Sequence, residues 1–233
     1  MLPIDILTQP DDTTCGPTCL HALYRYHGNA LTLNDVITSV SVLSGGGTLA
    51  VLLACDALRR GYRTTLYTYN LQVFDPSWFS DERIDITQKL TEQLQYKNNE
   101  KLTEATHAYC TFLALGGRLR FRDLDARLLN RYFKKKVPII AGLNATYLYR
   151  CKRDYAGPDG KIHSDDVRGF PAGHFVVLCG YDEETKQVIV ADPYGKNPLT
   201  KDNYYPVTVT TLINAIMLGI VTYDSNLLII EQK

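Results

Sequence analysis

The chain has 233 residues, of which 45% are hydrophobic and 21% charged, and its 25 basic and 25 acidic side chains balance to a formal charge of zero. This composition is typical of a globular protein in water, and the balance of charge offers no basic surface for nucleic acid. Neither a signal peptide nor a run of ~18 apolar residues for a membrane-spanning helix is present, so we expect a cytoplasmic protein with reduced thiols.

The first half of the chain is predicted to be mainly helical. The run Gly45-Gly46-Gly47 interrupts the helical spacing, and Thr48 is expected to cap the helix that follows. Residues 75–118 are polar with helical stretches, and we interpret them as a helical insertion within a single domain that spans 1–233. The elements predicted here are, in chain order, helices over 15–27, 33–40 and 48–60, a strand over 62–69, and helices over 82–96 and 100–115.

The second half of the chain is richer in predicted strands. It contains a long Gly- and Asp-rich loop over 150–172, which precedes a strongly apolar segment. Helices first and an antiparallel sheet later predict an α+β fold. The remaining elements predicted here are a helix over 122–135, strands over 137–143, 175–178 and 188–191, a helix over 208–218 and a strand over 226–231.

Cys15 differs from the other five cysteines in its position. The six cysteines are scattered without a C-x-x-C pair, which disfavours zinc-ribbon and thioredoxin-like sites. Cys15 stands at the start of a predicted helix, where the helix dipole favours the thiolate form. Gly16 beside it is expected to leave room for a substrate backbone. A nucleophile and one more buried thiol at a helix start both remain possible from position alone.

A cysteine nucleophile requires a base, and the base requires a partner that fixes its tautomer. His174 opens the apolar strand and is the candidate base, whereas the other four histidines lie in the Cys15 helix, the insertion or a polar loop. A turn at 182–186 would place Asp192 nearly opposite His174 in an antiparallel hairpin, where Cβ atoms lie ~4.5–5.5 Å apart. The alternatives are a strand-end histidine satisfied by backbone and a turn-initiating aspartate before Pro193.

Gln9 is the one side-chain amide in the loop that precedes Cys15. A tetrahedral intermediate develops an oxyanion, and each fixed donor to it contributes ~2.7–4 kcal/mol. We predict that the backbone N–H of Cys15 and the amide of Gln9 supply two such donors. No cofactor or metal is predicted, because His163 and its acidic neighbours form a loop without a second histidine.

These residues in this order resemble the papain-like cysteine peptidases, and within them the peptidases that process double-glycine leader peptides of bacteriocins. The resemblance implies a papain-like fold with an N-terminal helical part packed on a C-terminal antiparallel sheet. It implies that Gln9 forms the oxyanion hole, Cys15 is the nucleophile, His174 is the base and Asp192 orients it. Residues 75–118 have no counterpart in a minimal leader peptidase domain. The matching blocks are 9–18, with Gln9 and Cys15-Gly16-Pro17, then 173–182 and 190–195.

We therefore predict a cysteine peptidase that cleaves a peptide or isopeptide bond of a peptide or protein substrate, with no nucleic-acid partner. Acyl or peptidyl transfer and deamidation are alternatives on the same fold, because each can use the same acyl-enzyme. A non-catalytic peptide-binding module is the alternative from another class. The sequence carries no signal for the cleavage sequence or the oligomeric state.

Overall fold

A seven-stranded sheet lies at the centre of the protein. The structure is a computed structural model and describes residues 1–158 and 161–233. The helices of the described residues are α1 Cys15–Tyr26, α2 Leu33–Ser39, α3 Ala50–Arg59, α4 Ile86–Gln93, α5 Glu100–Ala114, α6 Ala126–Lys134, α7 Ala145–Tyr149 and α8 Val209–Leu218, with short 3-10 turns at Pro76–Phe79 and Gly219–Thr222. The strands are β1 Arg63–Thr68, β2 Arg118–Arg120, β3 Ile139–Asn144, β4 Asp154–Ala156, β5 Ile162–Ser164, β6 Gly173–Asp182, β7 Gln187–Ala191, β8 Tyr204–Thr208 and β9 Asn226–Glu231.

The sheet is antiparallel except at one edge. Its strand order is β2-β1-β9-β3-β6-β7-β8, and only the pair β1–β2 among the described strands is parallel. Strands β4 and β5 form a separate antiparallel pair. The predicted α+β fold with helices packed on a largely antiparallel sheet is confirmed.

Both faces of the sheet are covered by helices, because the central strand β6 is apolar at almost every position. Successive side chains of a strand point to opposite faces. Phe175 and Val177 pack with α1 and α3 on one face. Val176 and Leu178 pack with α6 and α8 on the other. Burial on both faces explains why β6 reads as a continuous apolar run in the sequence.

An extended segment before α1 is fastened along the sheet by hydrogen bonds. The N–H of Leu2 donates to the carbonyl of Cys179 at 2.6 Å. The hydroxyl of Tyr204 accepts from the N–H of Ile6 and donates to the carbonyl of Ile4. Finally, the N–H of Gln9 donates to the carbonyl of Pro193 at 2.8 Å. The segment thus brings Gln9 to the end of β7, next to Asp192.

Residues 75–118 pack into the same core as the Cys15 helix. Leu102 and Phe112 of α5 are buried in the cluster that also contains residues of α1 and α3. Strand β2 then extends the sheet beside β1. Helix α4 is shorter than the predicted 82–96, because the side chain of Asp85 accepts from the N–H of Gln88 and caps its start. The interpretation as an insertion within one peptidase domain stays a prediction.

Several local predictions were wrong for physical reasons. Thr48 does not cap α3, because its hydroxyl donates to the carbonyl of Ser41 at 3.0 Å and Leu49 is the N-cap residue. The predicted loop 150–172 contains the β4–β5 pair, whose three-residue strands are too short to show alternation; residues 159 and 160 of that loop lie outside the described residues. Strand β8 was missed because it contains Pro206, which is tolerated at a sheet edge. No helix in the described ranges is long and apolar enough to span a membrane.

Phe112→Ala is expected to lower the free energy of unfolding by ~3–5 kcal/mol, because it opens a cavity in a core shared by α1, α3 and α5. Urea denaturation followed by circular dichroism measures this. The exposed His107→Ala on the same helix serves as the control and is expected to stay within ~0.5 kcal/mol of the parent. A separate early transition for part of the chain, with the main transition unmoved, would contradict a shared core.

Candidate active site

Cys15 is the first residue of α1, and no side chain caps that helix. The hydroxyl of Thr14, the N-cap residue, instead exchanges hydrogen bonds with the backbone of Asp11. No acidic residue lies in the first turn. The N–H groups at the start of α1, where Cys15 stands, therefore keep their positive potential.

The first turn of α1 is pinned to β6 by close contacts. The thiol of Cys19 donates to the carbonyl of Phe175 at 3.3 Å. The space that a Cβ at Gly16 would occupy is filled by Thr48, whose Cγ2 lies 2.7 Å away, and Phe175 is close by. Gly16 is thus required for close packing and not, as expected from the sequence, for room beside the substrate. With this packing Cys15 lies near enough to the His174 ring to raise the pKa of that ring.

His174 and Asp192 are joined by a hydrogen bond of 2.8 Å between Nε2 and Oδ1. The two residues are not directly opposed, however. Strands β6 and β7 pair Val177 with Ala191, and a register shift follows between Leu178 and Gly180. In this register Asp192 lies two positions along from the place opposite His174. Diagonal neighbours are ~7–8 Å apart, which the two side chains still bridge.

Asp192 is completely buried, and its carboxylate accepts four hydrogen bonds. Oδ1 accepts from His174 and from the N–H of Tyr194, and Oδ2 accepts from the hydroxyls of Tyr149 and Tyr205. Two carboxylate oxygens offer about four lone-pair sites, so the group is saturated. No pattern in the sequence indicated this role for the tyrosines.

The charges of this pair reinforce one another. Burial lowers the pKa of His174, but the charge of Asp192 and its hydrogen bond, followed by the contact with Cys15, raise it by more, so the net shift is upward. Burial raises the pKa of Asp192, but the charge of His174 and the hydrogen bonds from His174, Tyr149 and Tyr205 bring it below its ordinary value. Both shifts favour the imidazolium and carboxylate forms of the pair.

Other buried thiols lie in a different environment. Burial, reinforced by the charges of Cys15 and Asp192, raises the pKa of Cys19 well above its ordinary value. Burial likewise raises the pKa of Cys55 to about 11 and that of Cys179 to about 12. These three thiols are therefore protonated, inert core residues at neutral pH.

Gln9 lies at the loop just before α1, as expected, but its side chain points into that loop. Its Nε2 donates to the carbonyl of Asp11 at 2.8 Å, the same carbonyl that accepts from Thr14. Its Oε1 is buried without a hydrogen-bond partner. An amide carries two N–H donors. One donor of Gln9 therefore remains for another acceptor.

A cleft of about 400 Å³ opens in front of Cys15. One wall is formed by the loop Gly45–Gly47 and Thr48, and the other by β6 and the segment before β9. Gln9 is not one of the residues that line it. Among residues 1–158 and 161–233, no cluster of three or more His, Cys, Asp or Glu side chains is arranged for a metal ion.

A thiol at a helix start that faces an imidazole paired with a buried carboxylate is the arrangement of a cysteine peptidase. The family model described as the Peptidase_C39 like family matches residues 1–214. The chain belongs to this family, and it is a cysteine peptidase.

Three solved structures are similar to the chain, and the first of them supports the fold. A Bacillus anthracis protein described as C39-like shares 13% identity with a TM-score of 0.53, covering 99% of this chain and 96% of the other. The peptidase domain of Streptococcus ComA, a bifunctional ABC transporter involved in a quorum-sensing pathway, shares 12% identity with a TM-score of 0.45. That comparison covers 99% of this chain and 99% of the other. Xylellain, a cysteine protease from Xylella fastidiosa, shares 11% identity with a TM-score of 0.46, covering 100% of this chain and 84% of the other. The TM-scores of the last two are too low to add to the argument. No curated protein sequence matches the chain.

Tyr205→Phe and Tyr149→Phe are each expected to lower the free energy of unfolding at neutral pH by ~1.5–3 kcal/mol, because each removes a donor to a buried charge. Asp192 has a lowered pKa, so its ionic stabilisation is present above the pKa of unfolded aspartate and is lost as the pH falls through the folded-state pKa. The deficit should therefore shrink in acid. Denaturant unfolding at several pH values measures it.

Tyr147→Phe is the matched control. This tyrosine lies on α7, as Tyr149 does, but it contacts Asn214 and Arg150 instead of Asp192. It is expected to change stability by less than ~0.5 kcal/mol. Equal losses for Tyr147→Phe and Tyr205→Phe would show that the carboxylate is not the source of the effect.

Proposed function

We propose that Cys15 is the nucleophile and His174 the general base of a peptidase that hydrolyses a peptide or isopeptide bond, with Asp192 orienting the base and Gln9 assisting at the oxyanion. The observation that carries this proposal is the position of His174. Its Nε2 donates to a saturated, buried carboxylate at 2.8 Å, and Cys15 is near enough to contribute to the raised pKa of the ring.

The proposed reaction begins with the pair Cys15 and His174 as thiolate and imidazolium. The sulfur forms a bond to the carbonyl carbon, and the carbonyl electrons move to oxygen. His174 then gives its proton to the leaving amine as the C–N bond breaks, which leaves a thioester on Cys15. His174 next takes a proton from water, whose oxygen attacks the thioester and releases the acid and the thiolate.

Asp192 supports this cycle through position and charge. With four donors on its carboxylate, it cannot rotate or accept a proton without losing hydrogen bonds. Because its Oδ1 engages Nε2 of His174, the Nδ1 atom of the ring is left to exchange the proton with Cys15. A binding module would have no need for a thiol and base in this arrangement, which favours catalysis.

Gln9 supports the oxyanion through its place in the loop. Its backbone is fixed to the carbonyl of Pro193, directly after Asp192, and its amide is fixed to the carbonyl of Asp11. We propose that the second N–H of this amide donates to the oxyanion when substrate is bound. Together with the N–H of Cys15 it would form the oxyanion site.

The proposed compartment is the cytoplasm, and the proposed partner is a peptide or protein substrate. All six cysteines are free thiols in the structure, which suits a reducing environment.

A proteome-derived peptide library incubated with the enzyme in ¹⁸O-labelled water tests the proposal. We expect new peptide termini with one ¹⁸O in the released carboxylate, and none with Cys15→Ala or His174→Ala, because both remove the thiolate–imidazolium pair. Mass spectrometry reads both results. Joining of the acyl group to an amine would indicate transfer, and one-dalton conversion of glutamine would indicate deamidation.

Two further variants sharpen this test. Gln9→Ala is expected to keep the cleavage sites and lower kcat by ~10²–10³ through loss of one oxyanion donor. Gln88→Ala, at an exposed position on α4, is the matched control and should behave as the parent. Undiminished cleavage by Cys15→Ala would overturn the proposed function.

A further inference from the structure

A second carboxylate faces the cleft beside Cys15. Asp224 stands two residues before β9 and is only 7% exposed, and it lines the cleft together with Cys15 and Phe175. The reaction proposed above makes no use of it. Nothing in the sequence marked this residue, because it falls in an unpredicted stretch between α8 and β9.

The carboxyl of Asp224 lies directly against the residue that precedes His174. A Cβ built at Gly173 would collide with Oδ2 of Asp224 and come within 2.9 Å of the hydroxyl of Thr222. Glycine at 173 is therefore required for this carboxyl to occupy its place. In the sheet order, Asp192 approaches His174 from the side of β7, whereas Asp224 belongs to the side of β3 and β9.

Asp224 is not neutralised by a cation of the protein. Within the described part of the chain it forms no ion pair, and the nearby hydroxyl of Thr222 donates to the carbonyl of Gly219 at 3.1 Å. Lys101 lines the same cleft, but its Nζ donates to the carbonyl of Thr222 at 3.1 Å and lies over the ring of Tyr223. Burial raises the pKa of Asp224 to about 7, against the lowering effects of Thr222, Lys101 and His174.

The surroundings of the cleft are acidic as well. Asp12 lines its entrance. Glu104 accepts from the N–H of Ser44, and Glu100 accepts from the hydroxyl of the same serine, so two carboxylates adjoin the wall formed by Gly45–Gly47. Lys101 is the single cation among the described residues that line the cleft. A positively charged group entering the cleft would thus meet net negative charge and would compensate a buried carboxylate.

We propose that Asp224 is a specificity-determining residue that binds the ammonium or guanidinium group of a lysine or arginine side chain next to the scissile bond. This inference rests on the proposed function, since it takes Cys15 as the reacting group. The cleft, at about 400 Å³, has room for one basic side chain beside the thiolate. The substrate class is then peptides with a basic residue beside the cleaved bond.

Peptidyl chloromethyl ketones that carry either arginine or citrulline test the inference, because citrulline has the same shape as arginine without its charge. Each of the last three residues of the reagent is varied in turn, and the second-order rate of Cys15 alkylation is followed by peptide mass mapping. At one position we expect arginine to react about tenfold faster than citrulline, equivalent to ~1.4 kcal/mol. In Asp224→Asn that ratio is expected to fall to about one.

Two further variants test whether charge in the cleft determines the ratio of the arginine rate to the citrulline rate. Lys101→Met is expected to raise the ratio several-fold, because it removes the opposing charge without touching Asp224. Glu183→Gln, in the exposed turn between β6 and β7, is the matched control and should leave the ratio unchanged.

An arginine-to-citrulline ratio near one in the parent protein, or a high ratio that persists in Asp224→Asn, would overturn the inference while leaving Cys15 as the nucleophile. Failure of every reagent to label Cys15 would instead overturn the proposed function, and this inference with it.

Discussion

The hydrogen bond between His174 and the buried carboxylate of Asp192 is the interaction on which the site depends. A carboxylate removed from water is costly unless every lone pair finds a donor. Its donors come from β6, α7, β8 and the turn after β7, so satisfying one charge requires four separate segments to meet. The same condition that stabilises this part of the fold also fixes the orientation of the imidazole.

The thiol is positioned from the other direction, by the packing of α1 on β6. Gly16 packs closely against Thr48 and Phe175, and the thiol of Cys19 donates to the carbonyl of Phe175. These contacts determine the position of the start of α1 relative to His174. The site keeps features that a purely structural region would avoid. The start of α1 has no side-chain cap, and the Oε1 atom of Gln9 is buried without a partner. Such local costs are expected where chemistry and not stability selects the arrangement.

The sequence predicted the elements that carry strong periodicity. Helix α1, helix α5 and strands β7 and β9 were predicted close to their bounds, whereas only the central part of β6 was predicted. Cys15 and His174 were proposed because few other cysteines and histidines compete with them, Asp192 because the hairpin places it near His174, and Gln9 because it is the one amide in its loop. The support of the site was not predicted: Tyr205 lies on a strand with a proline, and Tyr149 on a five-residue helix. No local sequence pattern indicates Asp224, because the residue reaches the cleft only when β9 packs beside β3 and the carboxyl lies against Gly173.

The most direct test of the central claim is the pH dependence of Cys15 alkylation by sub-stoichiometric iodoacetamide in the native protein, read by peptide mass mapping. An ordinary cysteine titrates near ~8.5 and reacts with that profile. We expect Cys15 to be labelled before the other five thiols and well below that pH, and we expect His174→Ala to abolish this advantage. Labelling of Cys15 with an ordinary profile, unchanged in His174→Ala, would contradict it.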